Sequence, residues 1–338
     1  IGLQYLQHYY KLGKRNFLVV APKLSIFQSW RDDADKFGLA HLLREITFTS
    51  YLSLNKQDHY YDIVILDECH SLKYNHEPWL QAHQDMILGL TGTPPRYDRS
   101  EKGYMVSKFC PIIYRYIVGD AVEDKILNDY QVKVHMIPLS TARTQEVKRK
   151  DGGVFYTSER ANYDYWTTRL MNASSKKEEN ICSVMRMRAM MDFKSKENHA
   201  HLLLTQIKQK CIVFANTQDQ ADRLCAYSYH SGNEQSERNL EWFKNNRIIQ
   251  MSCVMQLNEG VTIPDLREGI ILHAYGNERK SNQRIGRLLR LNPTETATIH
   301  ILCYENTVDQ HKWLPAALAD LDETKIEYLK PVKQASWA

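Results

Sequence analysis

The chain has 338 residues, with 44 Lys+Arg against 40 Asp+Glu and a formal net charge of +4. Its apolar share of 43% can fill a real core, which excludes wholesale disorder, and the length suits two domains better than one. No apolar run reaches the length of a membrane span, and the first residues carry no charged-then-apolar leader pattern. Cys69, Cys110, Cys182, Cys211, Cys225, Cys253 and Cys303 are scattered without C-x-x-C spacing. They predict neither a zinc site nor a disulfide framework, but reduced thiols in a cytoplasmic compartment. So mild a positive charge permits a nucleic-acid partner without demanding one.

Ile1, Tyr5, Leu6, Tyr9 and Leu12 fall near helical spacing, and Gly13 supplies a stop. No capping residue precedes Ile1, so this helix is expected to continue a segment lying upstream. Short apolar runs then alternate with amphipathic stretches. Strands are predicted at Phe17–Ala21, Glu45–Phe48, Asp62–Leu66 and Met86–Leu90, with a helix from Trp30 to Leu43. Continuous apolar runs suit a parallel sheet covered on both faces, hence an α/β layer fold. A second series follows: strands at Cys211–Ala215, Ile248–Cys253, Gly269–His273 and Thr298–Cys303, with helices near Asp219–Ala226 and Glu237–Asn245. Between the series lie a strand-like Gln131–Ile137, a basic stretch, and a helical segment from Ala161 to Asp192 rich in Met and Arg. A hinge is expected at Leu127–Tyr130, and Asn306–Tyr328 reads as a helical tail. The predicted division is 1–128, 129–305 with a helical insertion at about 140–200, and 306–338.

Ligands of open α/β sheets gather at the carboxyl ends of the strands. Behind the third apolar run stands Asp67-Glu68-Cys69-His70. Two adjacent carboxylates there suit nucleotide hydrolysis: the first can hold Mg²⁺ through hard oxygen ligands, and the second can orient or deprotonate a water. Behind the fourth stands Thr91-Gly92-Thr93-Pro94-Pro95, whose hydroxyls can hydrogen-bond the Asp-Glu pair. In the second series Gln283, Arg287 and Arg290 fall at i, i+4 and i+7, one face of a helix, with Gly286 permitting close approach. Paired guanidinium forks match phosphate oxygens.

In this order the blocks resemble a superfamily 2 helicase or translocase. Asp67–His70 is similar to motif II in its DExH form, Leu90–Pro94 to motif III and Gln283–Arg290 to motif VI. Val20–Lys23 with Gln28-Ser29-Trp30 resembles motif Ia, and Thr47–Tyr51 motif Ib. Phe214–Thr217 resembles motif IV, His230–Gly232 the small motif after it, and Asn258–Pro264 motif V. The likeness covers about residues 1–305. It implies two RecA-like lobes, ATP with Mg²⁺ between them, and a nucleic-acid strand across both. By position, Asp67 would act on Mg²⁺ and Glu68 on the lytic water. Gln283, Arg287 and Arg290 would reach the γ-phosphate, and Gly260 and Thr262 would lie by the nucleotide. His70, Thr91 and Thr93 would couple ATP state to strand contacts. Pro22, Lys23, Thr49, Ser50, Asn216, Thr217 and His230 would lie along the nucleic-acid backbone.

Two departures stand out. Thr262 occupies a place where motif V often has Asp; it can still hydrogen-bond a ribose hydroxyl. No G-x-x-x-x-G-K-[ST] phosphate loop occurs in the chain, and the resemblance puts that loop just before the helix at Ile1. Details around Val19–Trp30, Ser71–Lys73 and Gln283 are similar to Swi/Snf-type and phage or repair translocases, which favours DNA over RNA. The compact length resembles phage-encoded members. An ATPase-deficient nucleic-acid-binding module and an RNA-directed helicase are the competing readings. Of the 20 tyrosines, Tyr9-Tyr10, Tyr60-Tyr61 and Tyr163 with Tyr165-Trp166 could stack on bases, though half-buried packing is the commoner use. Met185–Met191 reads as helix packing.

Overall fold

A computed structural model of the chain describes residues 1–95, 98–148, 152–254, 263–274, 295–319 and 321–330. Its described residues fall into two compact units, one up to Tyr116 and one from Ile117 onward.

The first unit runs α1 (Gly2–Lys11), β1 (Phe17–Ala21), α2 (Ser25–Lys36), β2 (Ile46–Ser50), β3 (Ile63–Asp67), α3 (Glu77–Gln81), β4 (Ile87–Leu90) and α4 (Glu101–Phe109). The four strands form a parallel sheet in the order β2-β1-β3-β4. Successive side chains on a strand point to opposite faces. Accordingly Leu18, Val20, Val64 and Leu66 enter a core shared with Tyr51, Leu80 and α4. Phe17, Val19, Ala21, Ile63 and Ile65 enter another, shared with α1 and α2. Both faces are covered, which is why these strands read as unbroken apolar runs.

Helix α2 starts earlier than the predicted Trp30 and stops earlier than Leu43. Ile26, Phe27, Trp30 and Ala34 supply its buried stripe. Gly38 then takes a left-handed φ of 68°, which ends the helix, and Ala40–Glu45 winds as a separate 3₁₀ turn.

The second unit contains α5 (Val118–Glu123), β5 (Asp129–Ile137), a hairpin of β6 (Gln145–Lys148) and β7 (Val154–Thr157), then α6 (Glu159–Met171), α7 (Lys176–Asp192) and α8 (Lys194–Gln206). It continues with β8 (Cys211–Ala215), α9 (Gln218–Leu224), β9 (Ser228–Tyr229), α10 (Ser236–Lys244), β10 (Gln250–Val254), β11 (Glu268–Ile271), β12 (Thr296–Tyr304), α11 (Leu314–Leu318) and β13 (Ile326–Leu329). Among the described residues one sheet orders these strands β13-β5-β12-β11-β8-β10-β9, all parallel.

Three details differ from the sequence expectation. Residues 117–128 group with the second unit and carry α5, where the hinge and the end of the first lobe were expected. The segment read as helical over 161–192 is two helices, because Ser175 caps a fresh start by accepting from the Glu178 N–H. The tail is not wholly helical: Ile326–Leu329 adds an edge strand to β5, held by a Lys325–Asp129 ion pair and by Asp322 N–H donating to Tyr130 OH. The helical insertion is tied down by buried Glu159, whose carboxylate accepts from Ser140 N–H, Ser195 N–H and Ser195 OH. Tyr163, a stacking candidate, is buried, and its hydroxyl accepts from Val308 N–H at 2.8 Å.

Candidate functional site

Parallel register brings the sequence-predicted residues of the first unit to one edge. Ala21 is level with Ser50, Val20 with Leu66 and Asp67 with Leu90. Pro22-Lys23, Thr49-Ser50, Asp67-Glu68 and Thr91–Thr93 therefore emerge from the carboxyl ends of four adjacent strands. Lys23 is exposed and Pro22 and Ser50 are half-buried. Thr49 is turned inward, where its hydroxyl accepts from Gln57 Nε2 at 3.3 Å. Any contact Thr49 offers a ligand comes from its backbone.

The chemistry is concentrated behind β3 and β4. Glu68 adopts a left-handed backbone, φ 52° and ψ 51°, a conformation rare outside glycine and asparagine. Such strain persists where the surroundings enforce it. Here Glu68 Oε2 lies 3.2 Å from His70 Nδ1 and 3.5 Å from Thr91 Oγ1. His70 Nδ1 lies 2.8 Å from Thr91 Oγ1, which also accepts from Thr93 N–H at 3.1 Å. Thr93 Oγ1 is 3.5 Å from the same His70 nitrogen. The expected link between the Asp-Glu pair and the Thr-Gly-Thr turn is thus a contiguous polar cluster. Close packing against α4 supports it: a Cβ built on Gly89 would lie 2.6 Å from the Cβ of Cys110, the residue that ends α4, so only glycine lets β4 approach there.

Two contacts to Asp67 have no counterpart in the sequence reading. Trp30 Nε1 donates to Asp67 Oδ2 at 2.8 Å, and Tyr51 OH donates to the Asp67 carbonyl at 2.9 Å. Burial raises the Tyr51 phenol well above its ordinary range, so it stays a donor. Both residues fall within quoted blocks, but their 37- and 16-residue separations from Asp67 leave no local signal.

In the second unit β8, β9, β10 and β11 also end side by side. Asn216 and Thr217 follow β8. Thr217 is exposed and caps α9, its hydroxyl accepting from Gln220 N–H at 3.2 Å. The Asn216 amide group is buried, with no hydrogen-bond partner among the described residues. His230 follows β9 with its ring inward: Nε2 lies 2.9 Å from Asp222 Oδ1, and Nδ1 accepts from Gly232 N–H at 3.2 Å. It shapes its loop and leaves Ser231 and Gly232 exposed. Gly260, Thr262, Gln283, Arg287 and Arg290 lie outside the described residues.

Two family models match the chain. Residues 1–96 match the type III restriction enzyme res subunit, and residues 185–292 the helicase conserved C-terminal domain; together they take in more than half the sequence. A curated relative, the DNA 3'-5' translocase XPB2 of Sulfurisphaera tokodaii, is 27% identical over an alignment of 322 residues, covering 84% of this chain and 71% of the relative. This is a superfamily 2 helicase/translocase chain. Solved structures agree on the fold of this superfamily 2 chain. The ATP-dependent Type ISP restriction-modification enzyme LlaBIII bound to DNA superposes with a TM-score of 0.59 at 13% identity over 97% of this chain. The chain spans 29% of that enzyme's length. The Pyrococcus furiosus Hef helicase domain gives 0.50 at 12% identity, over 93% of this chain and 91% of that one. The parallel α/β units are therefore RecA-like, and the family implies ATP and, usually, Mg²⁺.

The described residues fit that cofactor. Asp67 and Glu68 are half-buried hard oxygen donors at a strand end. Among the described residues no group of three His, Cys, Asp or Glu side chains could hold a metal ion. Mg²⁺ in nucleotide enzymes commonly rests on one or two carboxylates together with phosphates. No helix among the described residues is long and apolar enough to cross a membrane.

Proposed function

We propose that the chain is the motor core of an ATP-driven DNA translocase or helicase acting inside the cell. The observation that carries this reading is the cluster Glu68–His70–Thr91–Thr93, which ties a hydrolytic carboxylate to the neighbouring strand end. The relative's name and the DNA-bound restriction enzyme favour DNA over RNA.

In this mechanism Asp67 would hold Mg²⁺, which when bound would neutralise charge on the nucleotide phosphates. Glu68 orients the attacking water and accepts its proton. His70 and Thr91 fix the Glu68 carboxylate, so the pose of the base depends on where the Thr91–Thr93 turn lies. Gln283 through its amide, and Arg287 and Arg290 through their guanidinium forks, would meet the γ-phosphate, and Gly260 and Thr262 would line the nucleotide. Pro22, Lys23, Ser50 and Thr217, with the Thr49 and Asn216 backbones and the loop shaped by His230, follow the DNA phosphates. Such contacts position the strand without reading its sequence. The two RecA-like lobes divide ahead of α5, between Tyr116 and Ile117, and the insertion carrying α6 and α7 belongs to the second.

Glu68→Gln tests the assignment, because an amide cannot accept the proton. The variant is expected to bind ATP as the unaltered full-length protein does and to lose hydrolysis by about 100-fold or more, the usual contribution of a general base. Undiminished steady-state hydrolysis would remove Glu68 from this role.

A further inference from the structure

We propose that Trp30 is a positioning residue for Asp67, a role that rests on the functional reading above. The indole is buried, 8% exposed, and its ring is wedged against α1: a Cβ built on Gly2 would lie 2.3 Å from it. From that fixed seat Nε1 donates to Asp67 Oδ2 at 2.8 Å. A hydrogen bond to a carboxylate fixes its rotamer and directs its remaining lone pairs. The carbonyl of the same residue is held by Tyr51 OH. Asp67 is thereby gripped at both side chain and backbone.

The origin of the two grips matters. Trp30 lies on α2, the helix that begins directly after Pro22-Lys23 and Leu24. Tyr51 follows Thr49-Ser50 at the end of β2. Each of the two segments expected to meet the DNA backbone in this unit thus has a side chain on Asp67. A displacement of either segment changes the pose of the carboxylate that takes the metal. In this protein strand contact reaches the Mg²⁺ site through Trp30 as well as through the Thr91 turn.

The test uses the full-length protein with a fluorescent ATP analogue, titrated with Mg²⁺ and with EDTA in its place. Trp30→Phe deletes the donor, together with the fused ring that packs on Gly2. The gain in nucleotide affinity that Mg²⁺ gives the unaltered protein is expected to shrink about tenfold in the variant, the size of one hydrogen bond to a charged group. Affinity in EDTA should be unchanged; a merely structural role would lower it together with the affinity in Mg²⁺. Incorporating benzothienylalanine at position 30, which replaces the N–H by sulfur in the same ring shape, keeps the test decisive if the Phe variant folds poorly. An unaltered Mg²⁺ gain with the donor removed overturns the role of Trp30. Failure of the unaltered protein to bind the analogue would instead overturn the functional reading.

Discussion

His70 Nδ1 lies 2.8 Å from Thr91 Oγ1, a contact that joins the carboxyl ends of the adjacent parallel strands β3 and β4. Since the same nitrogen is 3.2 Å from Glu68 Oε2, one imidazole links the expected base to the Thr-Gly-Thr turn. Thr91→Val keeps the shape and removes the hydroxyl. The expected result is unchanged nucleotide affinity with hydrolysis lowered about tenfold, the cost of losing a hydrogen bond near a charge. Parallel binding and turnover assays would check this; a change in affinity alone would place Thr91 in binding rather than coupling.

Acid should destabilise the second unit through a histidine chain. His199 Nε2 lies 3.0 Å from His135 Nδ1, His135 Nε2 lies 2.9 Å from His300 Nδ1, and His300 Nε2 lies 3.0 Å from Glu268 Oε2. Neutral rings arranged head to tail satisfy all three contacts. Burial, then His300, His199 and Lys133, depress His135 from 6.5 to about 3. Unfolded His135 takes a proton below 6.5 while the folded ring does not, so its contribution to stability is constant above that pH and falls as pH drops toward 3. This one group contributes a slope of up to about 1.4 kcal/mol per pH unit. Urea unfolding at a series of pH values would measure it, and His135→Asn should flatten the slope.

Lys196 and Asp309 form a fully buried ion pair, with Lys196 Nζ also 3.2 Å from His273 Nδ1 and 4.5 Å from the centre of the Tyr304 ring. Asp309 accepts from Tyr304 N–H at 3.0 Å, which ties the end of β12 to the helical turn Asp309–Trp313 that leads into α11. Lys196→Met leaves a buried carboxylate uncompensated and should cost about 3–5 kcal/mol. Adding Asp309→Asn, which removes the charge and keeps an acceptor for Tyr304 N–H, should recover most of that loss. Denaturant unfolding of the single and double variants checks the pair; equal losses would show that packing, not charge, dominates there.

The legible parts of this chain were those whose physics is local. Phe17–Ala21 and Cys211–Ala215 announced themselves because both sheet faces are covered, leaving no polar position in the strand. Asp67-Glu68 and Thr91–Thr93 were readable as a pair because each directly follows such a strand. What stayed hidden depends on distant partners. The break between α6 and α7 rests on one serine cap in a stretch of otherwise helical composition. The edge strand β13 needs β5 beside it, nearly two hundred residues away. Trp30 stood in a quoted motif block with no partner to read: its ring packs and only its N–H meets Asp67. Thr49 and His230 matched family positions, yet their side chains face inward to Gln57 and Asp222.

The central claim is that strand-end carboxylates in this chain hydrolyse ATP in response to DNA. Steady-state phosphate release by the full-length protein, with and without duplex DNA and with RNA in a parallel series, tests it most directly. Hydrolysis should rise at least about tenfold with DNA, corresponding to about 1.4 kcal/mol of transition-state stabilisation supplied by strand binding, and less with RNA. Hydrolysis that is absent, or indifferent to DNA, would contradict the account.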